Sequence, residues 1–74
     1  MRITLEYVDP LDIKGLDSGD TIRVQKGLTL NDFVDKLELD GHSPEEIKPV
    51  VNGEEVSFSW NLDDGDKVQF IPDF

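Results

Sequence analysis

The most evident chemical groups in this sequence are three closely spaced carboxylates, Asp63, Asp64 and Asp66. Oxygen ligands in close succession are typical of calcium sites. An EF-hand loop, however, needs ligands at positions 1, 3 and 5, glycine at position 6 and glutamate at position 12, and this stretch lacks that register. Aspartates around a glycine are also typical of tight turns, in which the carboxylate accepts hydrogen bonds from nearby backbone. We therefore predict a turn here and no metal site.

The sequence also lacks the pattern of a catalytic nucleophile. It contains no cysteine, and its single histidine, His42, lies in the polar segment "DGHSPEE" without a second histidine to share a metal. The serines have no histidine at a recognisable spacing that would activate them as nucleophiles; they are Ser18, Ser43, Ser57 and Ser59. We therefore predict that the protein is not an enzyme, with no catalytic residue and no cofactor.

Charge and length narrow the class of protein further. The chain has 74 residues, of which 17 are acidic and 7 basic, giving a formal net charge of −10. This charge argues against binding to nucleic acid, and it favours a basic protein partner or a salt-rich cytoplasm, unless it only keeps a small domain soluble. The first residues alternate in polarity and no apolar run is long enough to span a membrane. We expect one domain, residues 1–74, that is cytoplasmic and monomeric.

Two strands are predicted in the first third of the chain. The segment "RITLEYV", Arg2 to Val8, alternates apolar and polar side chains, which is the period of a strand with one buried face. The segment "TIRVQ", residues 21–25, resumes the same alternation. Between them, residues 9–20 are rich in proline, glycine and aspartate, which favour a loop. The two strands are therefore expected to pair as a hairpin.

A helix is predicted to follow. Leu30, Phe33, Val34 and Leu37 lie at positions i, i+3, i+4 and i+7, so they share one helix face. Thr29 is suited to cap the helix, with Asp32 placing a negative charge near its positive end. Gly41 is the expected stop. After it, "SPEEI" resembles a capping box, Ser43 with Glu46, that is followed too closely by Pro49 for more than one turn.

The strongest local signal is a second hairpin. Asn52 and Gly53 separate two apolar stretches, and both residue types accept the positive φ angles of a type I′ turn. Val50 or Val51 is expected to pair with Val56. The "DDGD" turn then leads into a last strand, "KVQFI", residues 67–71.

This order of elements predicts an α+β fold of the β-grasp (ubiquitin-like) arrangement, a mixed sheet of four to five strands with one main helix packed on one face. The expected core is made of the apolar residues that these patterns turn inward: Ile3, Leu5, Ile22, Val24, Leu30, Phe33, Val34, Leu37, Val50, Val56, Leu62, Val68 and Phe70. Residues of opposite parity, namely Thr4, Glu6, Arg23, Gln69 and Ile71, are expected on the outer face of the sheet.

The second half of the sequence resembles the ThiS/MoaD sulfur-carrier proteins, which have this fold. The segment "VVNGEEV", followed by "LDDGDKVQFIP", is similar to their Asn-containing turn, their Leu-x-x-Gly-Asp turn and their last strand, which ends near a proline. The segment "GLTLNDFVDKLEL" lies where the family has its helix. The matching residues are Asn52, Gly53, Leu62, Gly65, Asp66 and Pro72. The resemblance covers most of the chain.

This resemblance implies a carrier whose C-terminal Gly-Gly is adenylated with ATP by an activating enzyme and becomes a thiocarboxylate, which donates sulfur to thiamin or molybdopterin synthesis. Two glycines pass through a narrow channel because they have no side chains. This sequence has Asp73 and Phe74 after Pro72 instead. The expectation is therefore a protein-binding module without carrier chemistry. The alternatives are a genuine sulfur carrier whose Gly-Gly tail is missing from this chain, and a structural domain of a larger enzyme.

The expected partner is a protein, by family resemblance an adenylating (E1-like) enzyme or a synthase subunit. Trp60 in "SFSWN" lies outside the periodic segments, so its indole either closes one end of the core or anchors a partner. The residues predicted to bind the partner are Trp60, Gln69, Ile71, Asp73 and Phe74.

Overall fold

The structure, a computed structural model, describes residues 1–8, 11, 13, 15–37 and 46–73. Its elements are the strands β1 (Arg2–Tyr7) and β2 (Asp20–Arg23), the helix α1 (Leu30–Lys36), and the strands β3 (Ile47–Val51), β4 (Glu54–Glu55) and β5 (Lys67–Pro72). The predicted strands and helix are present in the predicted order. The first strand ends at Tyr7 rather than Val8, and the second at Arg23 rather than Gln25. In the described part of the chain, no helix has the length and apolar character to cross a membrane.

The strands form one mixed sheet in the order β2-β1-β5-β3-β4. The first and last strands, β1 and β5, are parallel neighbours at its centre, and the other neighbouring pairs are antiparallel. Because β5 lies between β1 and β3, its inward side chains Val68 and Phe70 are buried at the middle of the core. The structure thus confirms the mixed sheet.

The helix covers one face of this sheet. Leu30, Phe33 and Val34 are buried, as the helical spacing predicted. The rings of Phe33 and Phe70 have centroids 6.3 Å apart, which shows that the inward residues of β5 face the helix. One helix packed on one face of a mixed sheet is the expected α+β, β-grasp arrangement.

Capping fixes the start of the helix. The Thr29 hydroxyl accepts a hydrogen bond from the Asp32 N–H at 3.3 Å, and the Asp32 carboxylate accepts one from the Thr29 N–H at 3.5 Å. This reciprocal arrangement is a capping box. The described helix ends at Lys36, because Leu37 already has an extended backbone and its N–H closes the last turn on the Val34 carbonyl at 3.0 Å. Gly41, the predicted stop, lies outside the described residues. His42 and the turn predicted from Ser43 lie outside the described residues.

The second hairpin has its turn where it was predicted, with φ angles of +52° at Asn52 and +85° at Gly53. The predicted pairing with Val56 is wrong. Since the turn contains only two residues, the residues that flank it pair first, Val51 with Glu54 and Val50 with Glu55. The N–H of Val56 instead donates to the Pro49 carbonyl at 3.1 Å.

The core contains most of the predicted residues and several others. Ile22, Val24, Leu37 and Val56 are only partly buried. Val50 was expected inside, but Val51 is the buried member of that pair, because the alternation along β3 also turns Ile47 inward. The buried apolar residues that were not predicted are Leu11, Ile13, Leu28, Ile47 and Val51.

Candidate partner-binding surface

The candidate site lies on the outer face of the sheet, opposite the helix. Val68 and Phe70 face the core, so the alternation along β5 places Gln69 and Ile71 on the other face. Thr4 and Glu6 of β1 and Arg23 of β2 have the outward parity too, and none of the five is buried. The prediction of an outer face made of these residues is confirmed.

Gln69 is held in place by its neighbour on β1. The pairing of β1 with β5 puts Glu6 beside Gln69, and the Gln69 Nε2 donates to the Glu6 Oε1 at 3.2 Å. The same oxygen lies 3.1 Å from the Nζ of Lys67. An exposed ion pair of this kind contributes little stability. The contacts do, however, fix the orientation of the Gln69 amide at the surface.

The apolar part of this face is formed by Val8 and Ile71, which we call the Val8–Ile71 patch. Tyr7 lies beside Phe70 in the parallel pairing, so the next residues, Val8 and Ile71, follow side by side. They are 60% and 43% exposed, and both line a shallow pocket of about 270 Å³ together with Glu6, Tyr7, Gln69 and Phe70. Val8 was not predicted as a contact residue, although its alternation with Glu6 placed it on this face.

Asp73 lies at the same end of the sheet. Its N–H donates to the Glu46 carbonyl at 2.8 Å, and its carboxylate is 3.9 Å from the Nζ of Lys48. These contacts keep the chain alongside β3 beyond Pro72. The hydrogen bond to Glu46 therefore keeps the backbone next to β3 as far as Asp73. Phe74 lies outside the described residues.

Trp60 belongs to a different part of the surface. Its carbonyl accepts the N–H of Leu30, the first residue of the helix, at 3.0 Å, so it lies on the helix side of the sheet and away from Gln69 and Ile71. The side chain is 40% exposed. In the same segment Phe58 is partly buried and packs against the core. The alternation of the sequence does not indicate which of these two aromatic side chains packs against the core.

Two carboxylates of the "DDGD" segment, those of Asp64 and Asp66, accept hydrogen bonds from backbone N–H groups. Asp66 is only 8% exposed, and one of its oxygens accepts the Asp63 N–H at 2.9 Å. Asp64 accepts the Arg2 N–H at 2.7 Å. The predicted turn is therefore confirmed. Among the residues that the structure describes, no group of three or more histidine, cysteine or acidic side chains is placed to hold a metal ion.

Comparisons with known proteins identify a family. The model of the ThiS family matches residues 10–73, which include the helix, the second hairpin, the "DDGD" turn and β5. Searches of the curated proteins and of the solved structures gave no match. The family match covers well over half of the chain and agrees with the β-grasp arrangement of the structure. The chain therefore belongs to the ThiS family.

Proposed function

We propose that this ThiS-family protein functions by binding a protein partner through the Val8–Ile71 patch and the residues that follow β5, without catalysing a reaction itself. Proteins of this family are small sulfur carriers that interact with partner proteins such as E1-like enzymes. The observation that carries the proposal is the pair of exposed aliphatic side chains, 60% and 43% exposed, around one pocket at the end of the sheet.

The surroundings of the patch support a protein interface. Single exposed aliphatic residues are common on protein surfaces, but here two of them adjoin and are bordered by polar groups. Glu6, Gln69, Lys48 and Asp73 lie around or beside them. An apolar centre with a polar rim is the usual anatomy of an interface. Because the chain has a formal net charge of −10, we expect a partner with a basic rim, such as an E1-like adenylating enzyme or a synthase subunit.

Trp60 is proposed as a second contact. Its 40% exposure and its position beside the first turn of the helix suit a separate anchor. A partner that reaches both Trp60 and the Val8–Ile71 patch must wrap around the edge of the domain. Loss of binding on Trp60→Ala alone, with the patch intact, would therefore identify a large interface.

The second candidate function is that of a true sulfur carrier, which the family match favours. A carrier would bind its partner through the same surface. It would differ from the binding module only in having a Gly-Gly terminus after Phe74 in the native protein. The intact mass of the protein isolated from its own cells distinguishes the two. An unmodified mass for residues 1–74 supports the binding module. A longer chain that ends in Gly-Gly, or the replacement of a terminal oxygen by sulfur, supports the carrier. Both functions are expected for a monomer in the cytoplasm.

The binding proposal is tested by titrating the protein with the E1-like adenylating enzyme of the same organism. Val8→Glu and Ile71→Glu place a charge at the centre of the patch, and we expect each to weaken binding by roughly tenfold or more. Gln25→Glu is the matched control, since it adds the same charge at an exposed position outside the patch. Equal affinities for all four proteins, each with an unchanged melting temperature, would contradict the proposed surface.

A further inference from the structure

A separate reactive pair, Asn52 and Gly53, lies at the other end of β5 from the Val8–Ile71 patch. When glycine follows asparagine, no side chain hinders the attack of its backbone nitrogen on the asparagine side-chain carbonyl. Both residues are exposed, and no atom lies within 4 Å of a Cβ built on Gly53. Water therefore has access to this turn.

In the folded structure, both polar atoms of the Asn52 side-chain amide are hydrogen-bonded. The Asn52 Nδ2 donates to the Oδ1 of Asp66 at 2.9 Å, and the Asn52 Oδ1 accepts the N–H of Lys67 at 3.0 Å. The N–H of Asn52 also donates to the Lys67 carbonyl at 2.9 Å. Because the other carboxylate oxygen of Asp66 is bonded to the Asp63 N–H, one residue joins the hairpin turn to the turn before β5. We call this contact the Asn52–Asp66 lock.

We propose that Asn52 is a site of spontaneous deamidation, that the Asn52–Asp66 lock restrains the reaction in the folded state, and that the reaction breaks the lock irreversibly. The Gly53 nitrogen loses its proton and forms a bond to Cγ of Asn52. The Cγ–Nδ2 bond breaks and ammonia leaves, giving a cyclic imide. Water then opens one of the two imide C–N bonds, which yields aspartate or its β-linked isomer. The step needs only water and involves no change of oxidation state.

Both products are incompatible with the lock. Aspartate at this position places a second carboxylate at hydrogen-bond distance from Asp66, where the amide had donated a proton. Like charges at this distance repel each other. The β-linked isomer lengthens the main chain, which disturbs the positive-φ turn at Asn52 and Gly53. Deamidation thus converts a stabilising contact between two turns into a destabilising one.

The first test follows deamidation by peptide mass mapping of the protein aged in mildly alkaline buffer. Asn31 and Asn61, followed by Asp32 and Leu62, are internal controls with hindered neighbours. We expect Asn52 to react fastest in the urea-unfolded chain and several-fold more slowly in the folded protein. Asp66→Ala should accelerate the reaction in the folded protein. Equal rates in the folded and unfolded chains, or no acceleration by Asp66→Ala, would overturn the restraining role of the lock.

The second test does not depend on the folding of Asp66→Ala. Asn52→Asp alone imitates the product and should lower the melting temperature. Combining it with Asp66→Asn exchanges donor and acceptor, so the new amide at position 66 donates to the new carboxylate and still accepts from Asp63. We expect the double variant to recover most of the loss. A double variant that is no more stable than Asn52→Asp, or an Asn52→Asp variant as stable as the original protein, would refute the proposal.

Discussion

Phe33 of the helix and Phe70 of the central strand pack with ring centroids 6.3 Å apart and ring planes inclined by 47°. Both side chains are 1% exposed. This contact joins the two layers of the fold at the strand whose outer face carries Gln69 and Ile71. The position of the proposed binding surface therefore depends on packing on the opposite face of the same strand.

Replacing Phe33 by alanine should largely unfold the protein. Deletion of a buried phenylalanine ring costs about 3–5 kcal/mol, which is comparable with the roughly 3–5 kcal/mol of stability expected of a domain this small. The measurement is urea unfolding followed by far-UV circular dichroism. Phe33→Leu is the control, because it retains much of the buried volume. An alanine variant with a midpoint close to that of the original protein would show that the helix is not held by this contact.

The capping box gives a second prediction. Thr29→Ala removes the hydroxyl that accepts the Asp32 N–H, and we expect it to lower the free energy of unfolding by about 1 kcal/mol. Thr29→Ser keeps the acceptor and should have a small effect. The two variants are compared by the same urea titration. If alanine and serine had equal midpoints, the hydroxyl would not stabilise the helix.

Regular segments were predictable from the sequence because their periodicity reflects burial on one face. The alternation in "RITLEYV" and "KVQFI" correctly placed Ile3, Leu5, Val68 and Phe70 inside, and Gln69 outside. For Val50 and Val51 the pattern is ambiguous, since two adjacent valines fit either parity. The two-residue turn and the pairing with β5 settle which of them faces the core.

Irregular segments were not predictable in the same way. Leu11 and Ile13 are each 2% exposed, although they lie in a stretch rich in proline, glycine and aspartate, a composition that favours a loop. Their burial depends on the tertiary path of the chain, which has no repeating signature. The same holds for the packing of Phe58 against the core beside the more exposed Trp60, and for the contact of Asn52 with Asp66 across 14 residues.

Gly65 provides a prediction about the turn before β5. Its φ of +87° is disfavoured for residues with a side chain, yet no atom lies within 4 Å of a Cβ built on it. Gly65→Ala should therefore destabilise through backbone strain alone, by about 1–2 kcal/mol. Gly65→Asn should cost less, because asparagine tolerates the left-handed region better. Thermal unfolding of the two variants gives the comparison, and an alanine variant at least as stable as the asparagine variant would contradict this account.

The surplus of acidic residues predicts stabilisation by salt. With 17 acidic and 7 basic residues, the folded state brings like charges together, and exposed ion pairs such as Lys67 with Glu6 offset little of that repulsion. Moderate sodium chloride screens surface charges beyond about 10 Å. The melting temperature should therefore rise from low to moderate salt. Chloride is preferred to sulfate in this test, because sulfate also strengthens the burial of apolar groups.

The matched control for the salt prediction is the double variant Glu54→Gln and Glu55→Gln. These two exposed residues form the edge strand β4, and their replacement removes two negative charges without disturbing the core. If repulsion among acidic groups is the cause, the variant should melt higher at low salt and respond less to added chloride. If the melting temperature of the original protein does not rise with added chloride, the prediction is wrong. An equal rise of the melting temperature in both proteins would show that the charges of Glu54 and Glu55 do not cause the effect of salt.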